Sequence, residues 1–347
     1  MRLLHRLFLL VFFVLGVSIL DVFPELSWAI DKEPAKSEAI KPSEEALLQQ
    51  GKFQEVIDQL SPKLPELDAQ GLKYLGRAYS GVKNSVTAIK TFNLALSKNA
   101  KDAEASTLVG LELLSTGKDR EAMISFREAL KSDPKYEPAY LAIEKIYIKK
   151  NNKYELRMLY SDMIDLLGEK PAYVTRLCEL LCTSGLYDDA KKMCRRGIAV
   201  KRDEPKNYIY LALTHKEQGD KELATALFKK TVDLFKNSEE AQVAYAQFLD
   251  GEKNFVEAAK FYKAALDLNP ESLRGQIGFA MASLEIQNYQ NTFDALDKAC
   301  RMDRRSIKEV RRAMGVLRVM KADKWMEKFE ALSEKCGLPS YESKSTN

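Results

Sequence analysis

A chain of 347 residues, 46 % apolar and 30 % charged, has ample material for a large buried core, and its length alone would suggest two ordinary domains. Gly (16) and Pro (11) are sparse beside abundant Ala, Leu, Lys and Glu, so an all-helical protein is the first expectation. A net charge of +4 is too mild to demand a nucleic-acid or membrane partner for the chain as a whole.

Residues 1–29 read as a secretory signal peptide. Arg2 and Arg6 precede an apolar run from Leu7 to Leu20, and Ser27 and Ala29 form a small-x-small site, so cleavage is expected after Ala29. An uncleaved anchor is the rival reading, but the run falls short of the roughly 20 residues a spanning helix needs, and Asp21, Pro24 and Glu25 interrupt any extension. No Cys ends the apolar run, so lipid anchoring has no candidate residue. Residues 30–45 then read as a flexible, Pro-containing linker.

From Ala69 to Ser306 the sequence repeats itself every 34 residues without an insertion. One column runs Ala88, Ala122, Leu156, Ala190, Ala224, Ala258 and Thr292, and four residues on it runs Phe92, Phe126, Tyr160, Cys194, Phe228, Tyr262 and Leu296. Upstream in each unit a mostly small residue recurs at Gly76, Gly110, Glu144, Cys178, Ala212, Ala246 and Ala280. Small residues let two crossing helices approach, and the aromatic fills the space towards a neighbour. "STGKD", "TSGLY" and "EQGDK" supply turn glycines, while Pro134 and Pro270 stop second helices. Glu144 and Leu156 break the small-residue code, which predicts a splayed or rotated hairpin and a flex point near residues 137–170. A further unit, "ALLQQGKFQEVIDQL" from Ala46 to Leu60, precedes the series at a slightly longer spacing.

This pattern resembles the tetratricopeptide repeat family, whose 34-residue unit places large-x-x-L-G/A-x-x-large, then Ala, Phe or Tyr, Ala-Leu and Pro, across two helices. The resemblance implies an all-α fold, a right-handed superhelical solenoid of helix-turn-helix hairpins with a concave inner face. It implies about eight repeats over residues 46–305, with registered units starting near 69, 103, 137, 171, 205, 239 and 273. In related domains ligand peptides lie along the concave face, lined by the second, fifth, sixth, ninth, twelfth and thirteenth positions of each first helix. Those slots include Lys73, Tyr74, Arg77, Leu108, Leu111, Leu141, Lys145, Arg176, Glu179, Ile209, Tyr210, Leu213, Val243, Gln247, Ile277 and Met281. Packing between adjoining first helices competes with lining for Leu108, Leu141 and Ile277. The family's charge clamp for chaperone C-termini needs paired Lys and Asn, and that set is lacking here, so a chaperone-tail receptor is disfavoured.

Five cysteines follow the signal segment. Export would place Cys178, Cys182, Cys194, Cys300 and Cys336 in an oxidising compartment, where an odd number leaves at least one thiol unpaired or shared with another molecule. Buried packing cysteines are one reading; Cys178 with Cys194 is the best candidate disulfide. The "CELLC" pair has no nearby His and no second Cys pair, so neither a metal nor a cofactor is expected. His215 falls in a slot held elsewhere by Tyr79, Leu113 and Tyr147, which reads as packing. With no phosphate loop or nucleophile motif, enzymatic activity is not expected.

Residues 306–336 read as C-terminal capping helices. Residues 301–324 carry nine Lys or Arg against three acids, with an apolar stripe of Ile307, Val310, Met314 and Leu317. The opposite face holds Arg304, Arg305, Lys308, Arg311, Arg312 and Arg318. Residues 337–347 read as a disordered tail. The expectation is an exported, non-enzymatic interaction scaffold that binds an extended or helical segment of another protein and has no small-molecule substrate. The alternative is an adaptor for an anionic surface, a membrane or acidic partner, acting through the basic cap; nucleic acid is hard to reconcile with export.

Overall fold

The computed structural model describes residues 43–338, and among them the backbone forms helices and turns with no strand. The signal segment with its cleavage site, residues 30–42 of the linker and residues 339–347 of the tail lie outside the described residues. The chain divides into two compact units, one ending at Ala100 and one beginning at Lys101.

In the first unit, α1 (Glu44–Gln49), α2 (Phe53–Leu60), a 3-10 segment (Ser61–Glu66), α3 (Ala69–Gly81) and α4 (Ser85–Lys98) follow in order. The linker therefore ends earlier than its expected limit at residue 45. Ser43 caps α1, its hydroxyl accepting from the Ala46 amide at 3.3 Å, and Glu44 and Glu45 complement the positive end of the helix. The spacing expected for this first hairpin also needs correction. Its turn at Gly51 and the next at Lys83 lie closer together than the 34-residue repeat, because Pro62 and Pro65 hold the chain after α2 in a 3-10 segment where other units extend a full second helix. Leu47, Val56, Leu60, Leu75 and Ala78 form this unit's core.

The second unit is built from seven hairpins: α5 (Ala103–Ser115) with α6 (Asp119–Ser132), α7 (Glu137–Lys149) with α8 (Lys153–Leu167), α9 (Pro171–Thr183) with α10 (Tyr187–Val200), α11 (Pro205–Glu217) with α12 (Lys221–Leu234), α13 (Glu239–Gly251) with α14 (Phe255–Leu268), α15 (Leu273–Glu285) with α16 (Tyr289–Met302), and α17 (Ile307–Val319) with α18 (Asp323–Gly337). First helices begin at 103, 137, 171, 205, 239, 273 and 307, an unbroken period of 34. The capping helices are thus a further hairpin in the same register, beyond the expected end of the array at residue 305. Val310, Ala313 and Leu317 of α17 and Phe329, Leu332 and Cys336 of α18 are buried in one cluster with Ala280, Leu284 and Leu296, and Ile307 and Met314 are partly buried beside them.

Each turn contains one residue of positive φ, at Gly117, Asn151, Gly185, Gly219, Lys253, Gln287 and Lys321, again 34 apart. Three of these positions carry the expected glycine. Lys253, Gln287 and Lys321 adopt the same left-handed geometry at a steric cost that glycine avoids.

In the first six hairpins of the second unit the crossing of the two helices is made by one pair of positions, sixteen residues apart in sequence, filled in four chemically different ways. Gly110 meets Phe126 so closely that an added Cβ would come within 2.4 Å of the ring. Fully buried Ala212 stands opposite fully buried Phe228 in the same positions, and Ala280 opposite Leu296. In α9–α10 the pair is Cys178 and Cys194, joined as a disulfide with Cα atoms 5.0 Å apart. In α7–α8 the pair is Glu144 and Tyr160, whose hydroxyl donates to Glu144 Oε1 at 2.5 Å. That polar solution accompanies Leu156 in a small-residue position, and α7 and α8 pair the least closely of the seven hairpins. A second disulfide, Cys300–Cys336, ties α16 to α18, which leaves Cys182 as the one free, buried thiol among the described cysteines.

Candidate functional site

First helices of consecutive hairpins pack side by side in the second unit, most closely α9 on α11, followed by α11 on α13 and α13 on α15. They form one layer, and the residues that do not serve the crossing code face away from the second helices. Leu111 and Leu141 are exposed at 36 % and 39 %, with Leu108 half-buried near them and Lys145 in solvent. Arg176, Glu179, Tyr210, Leu213 and Ile277 are half-buried, and Gln247 is exposed. Ile209, Val243 and Met281 are buried, so only their edges reach the layer's surface. In the first unit Lys73 is buried, where packing and not access governs it, Tyr74 packs against the Leu47 core, and Arg77 is half-buried.

Seven of the slot residues converge on a trough made of two clefts. The first, of about 250 Å³, lies between α11 and α13 and is lined by Ile209, Tyr210, Leu213, Val243 and Gln247. The second, of about 520 Å³, lies between α13 and α15 and is lined by Gln247, Ile277 and Met281, with Arg312 of α17 at its end. Gln247 and Arg274 belong to both, which makes the trough continuous. Upstream of it a shallower, polar cleft of about 360 Å³ is lined by Glu144, Tyr160, Arg176 and Glu179. There Arg176 Nη1 donates to Glu179 Oε2 at 2.7 Å. Burial, reinforced by the Glu144 carboxylate, pushes the Tyr160 phenol well above its ordinary range, and burial followed by Glu179 does the same for Tyr210.

The trough is more charged than the slots chosen from sequence implied. Lys216, Glu240, Asp250, Arg274 and Glu285 also line it. Burial raises the Glu240 carboxyl against the pull of Lys206 and Arg274. Burial and then the like charge of Glu285 raise Asp250, opposed by Arg312. All five sit at second, twelfth or thirteenth positions of their helices, slots that the family pattern names but that the sequence reading left unfilled.

The basic residues of the last hairpin are not a uniform free patch. Arg305 Nε donates to Asp303 Oδ2 at 2.8 Å, Lys308 lies 3.6 Å from Glu309, and Arg304 is half-buried. Arg311 and Arg318 are exposed, and Arg312 reaches the trough. Elsewhere, buried His215 places Nδ1 3.1 Å from Asp220 Oδ2 and fastens α11 to its turn. Burial raises the Cys182 thiol, which keeps it protonated and unreactive. No group of three or more His, Cys, Asp or Glu is disposed to hold a metal ion, and no helix is long and apolar enough to cross a membrane, among the described residues.

The family model for the tetratricopeptide repeat matches residues 103–136, which span α5, its turn and α6. Solved structures extend that likeness over most of the chain. The C-terminal part of a TPR repeat-containing protein from Cytophaga hutchinsonii matches at 16 % identity and a TM-score of 0.54, covering 68 % of this chain and 97 % of that one. Residues 103–136 are thus similar to a tetratricopeptide repeat, and the chain shares the fold of tetratricopeptide repeat structures. Yeast Tom70 matches at 15 % identity and a TM-score of 0.51, over 92 % of this chain and 80 % of its own. At these identities the likeness is one of fold. No curated protein sequence matches this chain.

Proposed function

We propose that this chain is an exported, non-enzymatic scaffold that holds an extended or helical segment of a partner protein in the trough of its second unit. The continuity of the two clefts across α11, α13 and α15 carries the reading: three consecutive first helices offer Leu213, Gln247 and Ile277 along one path. Exposed Leu111 and Leu141 lie on the same layer of first helices. Two disulfides support folding in an oxidising compartment, in keeping with the apolar leader between Arg6 and Asp21. Recovery of partners from the native envelope with the parent chain and with Leu111→Glu and Leu213→Glu variants tests the proposal. Loss of specific partners from correctly folded variants is expected; an unchanged set of partners removes the groove.

The second reading is an adaptor for an anionic surface, favoured by the exposure of Arg311 and Arg318 on α17. Binding driven by that hairpin weakens steeply as ionic strength rises, whereas apolar contacts in the trough change little.

A further inference from the structure

The last of the first helices breaks with the others in the charge of one face. At about 100° per residue, Lys308, Arg311, Arg312, Gly315, Arg318 and Val319 of α17 fall within one arc of about 120°, opposite buried Val310, Ala313 and Leu317. The arc holds four cations and no carboxylate. The same six slots carry no more than two cations on any other first helix of the second unit. The fifth slot, which is Thr107, Leu141, Thr175, Ile209, Val243 and Ile277 in turn, becomes Arg311.

Arg311 and Arg318 are exposed and make no ion pair or hydrogen bond with a described residue. Lys308 lies 3.6 Å from Glu309, and Arg312 shares the larger cleft with Asp250 and Glu285, where Lys253 and Arg274 also stand. Nothing in the fold asks for this sign. A terminal hairpin needs a polar outer face for solubility, and carboxylates would supply it equally well. The positive end of α17 disfavours a cation at Lys308, in the first turn, and Arg311 and Arg312, three and four residues on, repel it. Only Arg318, in the last turn, suits its end of the helix.

A second observation is independent of charge. Gly315 stands in the ninth slot, where the preceding first helices place Leu111, Lys145, Glu179, Leu213, Gln247 and Met281. It is exposed and helical, and an added Cβ would meet nothing within 4 Å. Neither packing nor a left-handed turn requires glycine there, and glycine weakens a helix interior. Its effect is a bare stretch of backbone between the turns that carry Arg311 and Arg318, open to the close approach of another chain.

We propose that α17 receives a run of carboxylates in the bound partner segment, which leaves the trough past Arg312 and crosses Gly315 with its acids on Lys308, Arg311 and Arg318. The inference rests on the groove reading and gives the partner a register: apolar residues over Leu213 and Ile277, acidic residues beyond them. A polypeptide is favoured over a lipid surface because α17 packs beside α15 and Arg312 belongs to both the basic arc and the trough. The chain's own flanking segments do not supply the acids, since residues 30–42 balance three acids with three lysines and residues 339–347 balance Glu342 with Lys344.

The test uses the intact chain and pools of N-acetylated, C-amidated fluorescent decapeptides, in which a randomised apolar half is joined in either order to a run of glutamates or of glutamines. Binding is read by fluorescence anisotropy at about 0.1 M salt. In one order the glutamate pool should bind at least about tenfold more tightly than its glutamine counterpart. The combined Arg311→Gln, Arg318→Gln variant should bring the glutamate pool down to the glutamine pool while melting no lower than the parent. Lys150→Gln with Lys230→Gln, which removes two exposed cations elsewhere in the unit, should keep the ratio. Gly315→Leu should lower the ratio and also melt no lower than the parent. Equal binding of both pools, lost together in Leu213→Glu, would leave the groove standing and overturn the acid receptor. A ratio that survives Arg311→Gln, Arg318→Gln, or binding of neither pool, would overturn it as well. Equal binding of the pools with arginine-dependent pelleting on phosphatidylglycerol vesicles, or with arginine-dependent dimerisation, would overturn it in favour of a lipid surface or a second copy.

Discussion

Replacing Gly110 by Ala should destabilise the α5–α6 hairpin, and shortening Phe126 to Leu should rescue it. A Cβ on Gly110 would stand 2.4, 2.7 and 2.9 Å from three atoms of the Phe126 ring, against the 3.5 to 4.0 Å of ordinary carbon contact, so the ring must withdraw by about 1 Å. Phe126 is fully buried and has no space into which to retreat. Overpacking of this kind costs about 1–3 kcal/mol. The better helix propensity of Ala returns about 1 kcal/mol, so a net loss of about 0–2 kcal/mol is expected. Phe126→Leu alone should cost about 1–2 kcal/mol through lost contact and a residual void. Together the two changes recreate the pair that Ala280 and Leu296 already form, both fully buried, in α15–α16. The double variant should therefore be more stable than the sum of the single losses implies, by about 1 kcal/mol or more. Urea titration followed by far-ultraviolet circular dichroism measures all four proteins, and hydrogen exchange places the loss in α5, α6 and adjoining helices. Strictly additive effects, or a Gly110→Ala variant clearly more stable than its parent, would refute the crossing pair as the packing unit.

Other consequences follow from single features. Lys253→Gly relieves a left-handed backbone at φ 61° and should stabilise by about 0.5–1 kcal/mol, whereas Gly219→Ala at φ 87° should destabilise by about 1 kcal/mol; urea midpoints of the two variants should move in opposite directions. Replacing Cys300 and Cys336 by Ser removes a link across 36 residues and should cost about 3–4 kcal/mol, with faster hydrogen exchange confined to α16, α17 and α18. The hydrogen bond from Lys170 and then that from the Tyr173 hydroxyl hold the Glu137 carboxyl below its ordinary value of 4.5. Glu137 therefore stabilises the fold fully above that value and ceases to do so as pH falls through its lower folded value, so Glu137→Gln should flatten the acid limb of the stability curve.

The periodic part of the fold was legible because packing imposes it. Ala122, Phe126 and Ala129 recur as a code since each hairpin must cross and stack in the same way, and helix starts follow the predicted unit starts from Ala69 to Leu273. The Cys178–Cys194 link was accessible from sequence, as both residues occupy the crossing pair. Cys300–Cys336 was not, since it joins second helices of different hairpins. The last hairpin passed as a cap because Met326 and Glu330 stand where the small and aromatic residues recur elsewhere, although its period was intact. Left-handed turns at Lys253, Gln287 and Lys321 carry no glycine, so only their offset from Gly219 announces them. Lining the trough is a matter of which side of a helix each residue takes. Leu213 and Gln247 followed from their slots, but Asp250, Arg274 and Glu285 looked like ordinary solvated charge until neighbouring helices brought them to one cleft. Tyr262 serves both the packing code and the cleft, and its sequence column reports only the first role.

The central claim is that partners bind the layer of first helices in the second unit. Site-specific photocrosslinking in the native compartment tests it most directly, with a benzophenone side chain placed at Gln247 in the trough or at Ile124, which is 63 % exposed on a second helix. The account predicts a discrete crosslinked partner from Gln247 and none from Ile124. Crosslinks to that partner from Ile124 alone would contradict it.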